Sequence, residues 1–215
     1  TEASSAAHGN KLFVIGGRDR EQPETALNTI YMLDTTPDTD KMKWVSLPPF
    51  PGEGRILSTA AVCDSTLFII GGCSLSRDNS GETSRTYLSD MIGYDMTSKD
   101  PSKWGSSGRQ QLAGPGMPVA AAAGPAPVRE NSILLIGGDK RGNSPDPSRP
   151  VAQSRDILVY DVIGNTWTRQ GEWPVGIATV PAVVRGSEIM TISGETAPGV
   201  RTPVNASASA GTAVL

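Results

Sequence analysis

The sequence predicts an all-β chain assembled from repeated antiparallel units, and three observations predict it. A short apolar strand ending in a glycine pair recurs along the chain, a second strand closed by aspartate follows most copies, and no stretch carries a helical period. The recurrence is Lys11-Leu-Phe-Val-Ile-Gly-Gly17, Thr66-Leu-Phe-Ile-Ile-Gly-Gly72, Ser132-Ile-Leu-Leu-Ile-Gly-Gly138 and, with serine in the first glycine's place, Glu188-Ile-Met-Thr-Ile-Ser-Gly194. The spacing is about 55 to 66 residues. Runs of four to six residues rich in Ile, Val, Phe and Tyr, bounded by Gly, Pro, Asn, Asp and Ser, read as short buried strands.

Each element of a unit has its own reason. Upstream of the glycine pairs lie strands rich in small side chains, Ser58–Val62, Val119–Ala123 and Ala178–Val184, whose backbones can crowd together around an axis. The paired glycines fit a strand end where the backbone bends or approaches another closely, because only glycine accepts positive φ without strain. The aspartate-closed strands are Thr29–Asp34, Met91–Asp95 and Ile157–Asp161, followed by Trp44, Trp104 and Trp167, for which packing between neighbouring sheets is expected. Four antiparallel strands per unit make one blade of a β-propeller.

Composition narrows the function. The 215 residues include 24 Gly and 17 Pro, so the chain turns often. A net charge of -3 argues against a basic nucleic-acid face and against adsorption to an acidic membrane. No apolar run approaches the roughly 18 to 20 residues of a membrane helix. Cys63 and Cys73 sit near the turn and at the far end of one hairpin, roughly 20 Å apart, beyond disulfide reach, and read as buried thiols. Two cysteines and the single His8 give no zinc-site spacing, and His8 lies in a polar stretch, so neither a metal site nor a His-based nucleophilic triad is expected.

The hydrophobic strand ending in Gly-Gly, the Tyr-Asp strand end and the tryptophan resemble the Kelch repeat over nearly all of Lys11–Gly194. The resemblance sets blades at about 1–50, 54–112, 116–173 and an incomplete 175–202, with 203–215 a low-complexity tail that reads as linker or weak strand. Three and a half blades leave apolar faces and strand edges uncovered. The sequence therefore predicts further blades, from the same longer chain or from a partner chain.

Propeller sites gather where loops converge at one mouth of the central channel. Polar connections follow the glycine pairs at Arg18–Leu27, Cys73–Leu88 and Asp139–Arg155. The fourth unit departs from this: Gly194-Glu-Thr-Ala-Pro-Gly-Val-Arg-Thr202 sets a carboxylate and a guanidinium about a Pro-Gly turn that folds the chain back. Glu195 and Arg201 then either face one pocket or brace the turn as an ion pair. Arg55, where the second unit's first strand begins, is a further candidate for the pocket.

The run Gly-Glu-x-x-Pro-Gly-x-Arg-Thr is similar to the signature of the bacterial sialic acid mutarotases, the N-acetylneuraminate epimerases, and the segment Trp173–Ala178 also looks similar. That resemblance implies a six-bladed ring, Glu195 as catalytic acid/base and Arg201 as a substrate contact. The substrate it implies is an acidic sugar whose α and β anomers are interconverted, and the location is periplasmic or otherwise exported. Anomer exchange takes a proton from the anomeric hydroxyl and delivers one to the ring oxygen, which one carboxylate can do in turn. An arginine can hold the sugar's carboxylate through two parallel bonds. No cofactor is required. The rival expectation is a noncatalytic Kelch module presenting its loops to a protein, although its loops hold few of the aromatics that dominate such surfaces. A copper radical oxidase on the same scaffold would need more than one histidine.

Overall fold

A computed structural model describes residues 1–21, 24–105, 123–140 and 152–209. It divides into two compact units, Thr1–Ala113 and Gly114–Leu215.

In the first unit, blade one is a complete antiparallel sheet of β1 (Ser4–His8), β2 (Lys11–Ile15), β3 (Ile30–Asp34) and β4 (Trp44–Leu47), paired in chain order. Blade two pairs β5 (Thr59–Cys63) with β6 (Thr66–Ile70). Between β6 and the sheet's third strand, the segment read as a polar loop folds instead as a hairpin, β7 (Cys73–Arg77) and β8 (Thr83–Tyr87). Its tip closes because Asp78 Oδ1 accepts from the Ser80 and Glu82 amides. The third strand, β9 (Met91–Asp95), then returns beside β6. The fourth strand expected before residue 112 lies outside the described residues. Phe13, Ile15 and Ile30 of blade one and Leu67, Ile69 and Tyr94 of blade two form one buried cluster. Each such apolar side chain contributes roughly 1.5–3 kcal/mol over an exposed one. Tyr94 also donates its hydroxyl to the Pro48 carbonyl at 2.9 Å, tying the two blades.

In the second unit, blade three runs β10 (Val128–Arg129), β11 (Ser132–Ile136), β12 (Asp156–Asp161) and β13 (Thr166–Glu172), again in chain order. Its first strand begins later than Val119–Ala123, of which only Ala123 is described. Pro125 and Pro127 lie alongside β11, accepting from the Ile136 and Leu134 amides but having no N–H to donate, so the ladder is one-sided there. Blade four repeats the plan of blade two. The pair β14 (Ala182–Arg185) and β15 (Glu188–Ile192) is followed by a short hairpin, β16 (Glu195–Ala197) and β17 (Val200–Arg201). β18 (Asn205–Ser209) then pairs with β15. Within the segment read as a tail, residues 205–209 pair as a strand of blade four, and 210–215 lie outside the described residues. The alternation in Asn205-Ala-Ser-Ala-Ser209 explains it: Ala206 is buried in the unit's core while its serine neighbours are exposed.

The glycine pairs work as expected. Gly16, Gly17, Gly137 and Gly138 all have positive φ. A Cβ on Gly16 would stand 2.4 Å from the Arg55 carbonyl oxygen, and one on Gly137 2.4 Å from that of Ile177. In these two pairs the second glycine donates to the next blade, Gly17 to Arg55 O and Gly138 to Ile177 O. The aspartates ending β3 and β12 close turns, Asp34 accepting from the Thr36 amide and Asp161 from those of Ile163 and Gly164. Two of the three tryptophans diverge from expectation. Trp104 is buried 6.5 Å from Phe13 of the neighbouring blade, but Trp167 lies against Tyr160 of its own sheet and Trp44 is 52% exposed. Leu12, Tyr31 and Val45 of blade one are exposed too, as are Val183 and Ile192 of blade four. Cys63 and Cys73 are buried thiols, not a disulfide. No helix among the described residues is long and apolar enough to cross a membrane.

Candidate active site

Glu195 and Arg201 are cross-strand partners at the base of the β16–β17 hairpin. The backbone of Glu195 is fixed from the neighbouring segment by a reciprocal pair of bonds with Ala178, 3.0 Å from its own amide and 2.9 Å to its carbonyl. The turn is built as the sequence requires, with Pro198 followed by Gly199 at φ +74. Its Gly199 amide donates to Glu195 Oε1 at 2.8 Å, so the carboxylate caps its own hairpin through one oxygen.

The other oxygen, Oε2, looks toward Thr179 and Arg201. Thr179 Oγ1 lies 3.3 Å from it and Arg201 Nη2 3.7 Å. Arg201 Nη1 donates to Thr179 Oγ1 at 2.9 Å. The Glu195 side chain is 16% exposed and that of Arg201 65%. Of the two expectations, the ion pair is the one observed, but it is a long one, and the guanidinium keeps most of its surface toward solvent. A mostly exposed fork can take an anionic ligand, and a sheltered carboxylate with one anchored oxygen can exchange a proton through the other.

Ser193, in the place of the first glycine, adopts φ +64 and donates its hydroxyl to the Thr202 carbonyl at 2.7 Å, closing the hairpin's other end. Thr179 was not singled out by the sequence. Its signal was faint: it lies inside the Ala178–Val184 segment that reads as strand, and only the structure shows it three residues before that strand's pairing begins, at φ +53.

Arg55 belongs to the first unit. Its side chain is 1% exposed. Nη1 and Nη2 donate to the two Asp90 carboxylate oxygens at 2.8 and 3.1 Å, Nη1 also to the Gly71 carbonyl, and the Phe50 ring lies beneath. The fork a substrate carboxylate would use is thus occupied by Asp90. Of the loop arginines, Arg18 and Arg85 both bind the Glu2 carboxylate, at 2.7 and 3.1 Å.

Glycine-closed blades with a Glu–Arg hairpin in the fourth define a chain of Kelch-type β-propeller blades. Residues 1–51 match the family described as Kelch motif. The chain is 24% identical over 193 residues to the N-acetylneuraminate epimerase of Yersinia enterocolitica, covering 77% of this chain and 47% of that protein. It is 27% identical over 173 residues to the Kelch repeat and BTB domain-containing protein 2 of Cowpox virus, covering 76% of this chain and 26% of that one. The solved structure of YjhT superposes with a TM-score of 0.69 at 20% identity, over 97% of this chain and 62% of that one, which establishes the fold. The chain spans about half the length of the epimerase relatives it matches.

Proposed function

We propose that the full-length protein is a mutarotase-like isomerase that interconverts the anomers of N-acetylneuraminic acid or a related acidic sugar, with Glu195 as acid/base and Arg201 as carboxylate clamp. Action in the periplasm or another exported location, and completion of the ring by further blades over the apolar faces of blades one and four, belong to the same reading. The observation that carries it is the Glu195–Thr179–Arg201 arrangement: a sheltered carboxylate beside a guanidinium open to solvent.

The chemistry follows from those atoms. Glu195 Oε2 takes the proton of the anomeric hydroxyl and passes it to the ring oxygen as the bond from the anomeric carbon to that oxygen breaks. The open-chain ketone turns, and as the ring closes on its other face the carboxylate carries the proton back from the attacking hydroxyl to the former carbonyl oxygen. Arg201 holds the sugar's carboxylate on the same carbon, keeping the reacting centre beside the base. Arg55 enters as a brace of the blade entry rather than as a ligand, since its fork is filled.

Exchange-resolved NMR of the sugar tests the reading. The full-length wild-type protein should accelerate α/β interconversion, and Glu195→Gln should reduce the acceleration by roughly 10²-fold or more. The likeness to the Cowpox virus protein favours a second reading, a protein-binding Kelch module, and that reading gains if the folded wild-type protein leaves the exchange rate unchanged.

A further inference from the structure

Four residues occupy one position in the repeat and share one conformation. Glu2, Leu57, Ala123 and Thr179 have φ of +56, +54, +58 and +53. Leu57 donates its amide to the Glu2 carbonyl at 3.0 Å, and Thr179 donates to that of Ala123 at 2.8 Å. The left-handed backbone is therefore imposed by the way each blade hands on to the next. It is no special feature of blade four. What is special there is the side chain: a β-branched residue, among the least tolerant of positive φ, stands where glutamate, leucine and alanine serve in the first three blades.

Its hydroxyl accounts for the choice. Arg201 Nη1 donates to Thr179 Oγ1 at 2.9 Å, which commits that oxygen as an acceptor and leaves its proton directed to Glu195 Oε2 at 3.3 Å. The direct Arg201–Glu195 approach, at 3.7 Å, is looser than either step. The carboxylate's other oxygen is held by the Gly199 amide, on the hairpin's far side.

We infer that Thr179 is a positioning residue for the proposed isomerase, holding Glu195 Oε2 and Arg201 in mutual register through one hydroxyl. The inference rests on the reading of Glu195 as acid/base. The rigid left-handed backbone fixes where the hydroxyl sits, so the carboxylate and the clamp keep their spacing while a sugar enters and leaves. The role needs a short hydroxyl on this backbone and nothing else from the side chain.

The test compares Thr179→Val, Thr179→Ser and Glu195→Gln in the full-length protein, by NMR exchange of N-acetylneuraminic acid and by thermal melting. Valine keeps the branched shape and deletes the hydroxyl. Thr179→Val should lower kcat by roughly tenfold, the scale of one lost hydrogen bond to a charged group, with a smaller change in KM. Thr179→Ser should restore kcat to near wild type, because it returns the hydroxyl and relieves the branch. Melting temperatures of the two Thr179 variants should stay close together. If Thr179→Val keeps wild-type kcat while Glu195→Gln is inactive, the inference fails and the function stands. If serine is as slow as valine, shape rather than the hydroxyl matters and the inference fails. If Glu195→Gln is itself fully active, the functional reading falls first.

Discussion

Blades two and four share one plan, a sheet with a hairpin set between its second and third strands, yet equivalent positions carry opposite kinds of residue. Where blade two has Arg55, Leu57, Gly71 and Cys73, blade four has Ile177, Thr179, Ser193 and Glu195. Blade two buries its charge and neutralises it internally, with Arg55 locked between Asp90 and Gly71 and Cys73 sealed in the core. Blade four places an isoleucine in the arginine's position and moves its charges onto the hairpin, half open to solvent. One backbone thus serves as brace in one blade and as candidate reaction centre in the other. Architecture alone does not locate chemistry on this fold; the proposed site is read from the residues at the hairpin base.

The sharpest way to break that contrast is to leave blade two's buried guanidinium alone. Asp90→Ala strands Arg55 in the core and should destabilise the protein by about 3 kcal/mol, read by denaturant unfolding, because an unpaired buried charge costs far more than the pair gains. A smaller effect follows from moving blade four's serine into a blade that uses glycine. Gly137→Ser forces a side chain into positive φ against the Ile177 carbonyl and should cost on the order of 2 kcal/mol. An unchanged midpoint would show that the close approach there is not structural.

The smallest effect is one of pH. Burial pushes the Asp156 carboxyl up, but hydrogen bonds from Lys140, Arg169 and Ser154, with the Lys140 charge, outweigh it and hold the group below its ordinary 3.8. A depressed folded-state value means that the contribution is present above pH 3.8 and is lost as pH falls through the lower, folded value. Acid unfolding of Asp156→Asn should therefore show a shallower loss of stability below about pH 4 than wild type. Equal slopes would mean that the Lys140–Asp156–Arg169 cluster is no more than surface decoration.

What could be read from the sequence follows the same physical line. The glycine-closed and aspartate-closed strands were legible because burial on both faces leaves continuous apolar runs such as Leu67–Ile70. The β7–β8 hairpin was not, because Thr83-Ser-Arg-Thr-Tyr87 is largely exposed and carries no apolar pattern. Glu195 and Arg201 were found as a pair because the Pro-Gly turn that brings them together lies within the same short run. Arg55 was misplaced toward the pocket because its partner, Asp90, is 35 residues away and nothing local announces burial. Thr179 escaped because a left-handed threonine has no sequence signature when the conformation is imposed by a carbonyl of the preceding blade.

On the proposed function, chemistry resides in the blade-four hairpin and not in its counterpart. The most direct measurement sets Glu195→Gln beside Asp90→Ala in one NMR assay of α/β exchange, at a temperature where both proteins are folded. Glu195→Gln should lose the acceleration while Asp90→Ala retains it. Exchange that survives in Glu195→Gln and collapses in Asp90→Ala would contradict the proposed function.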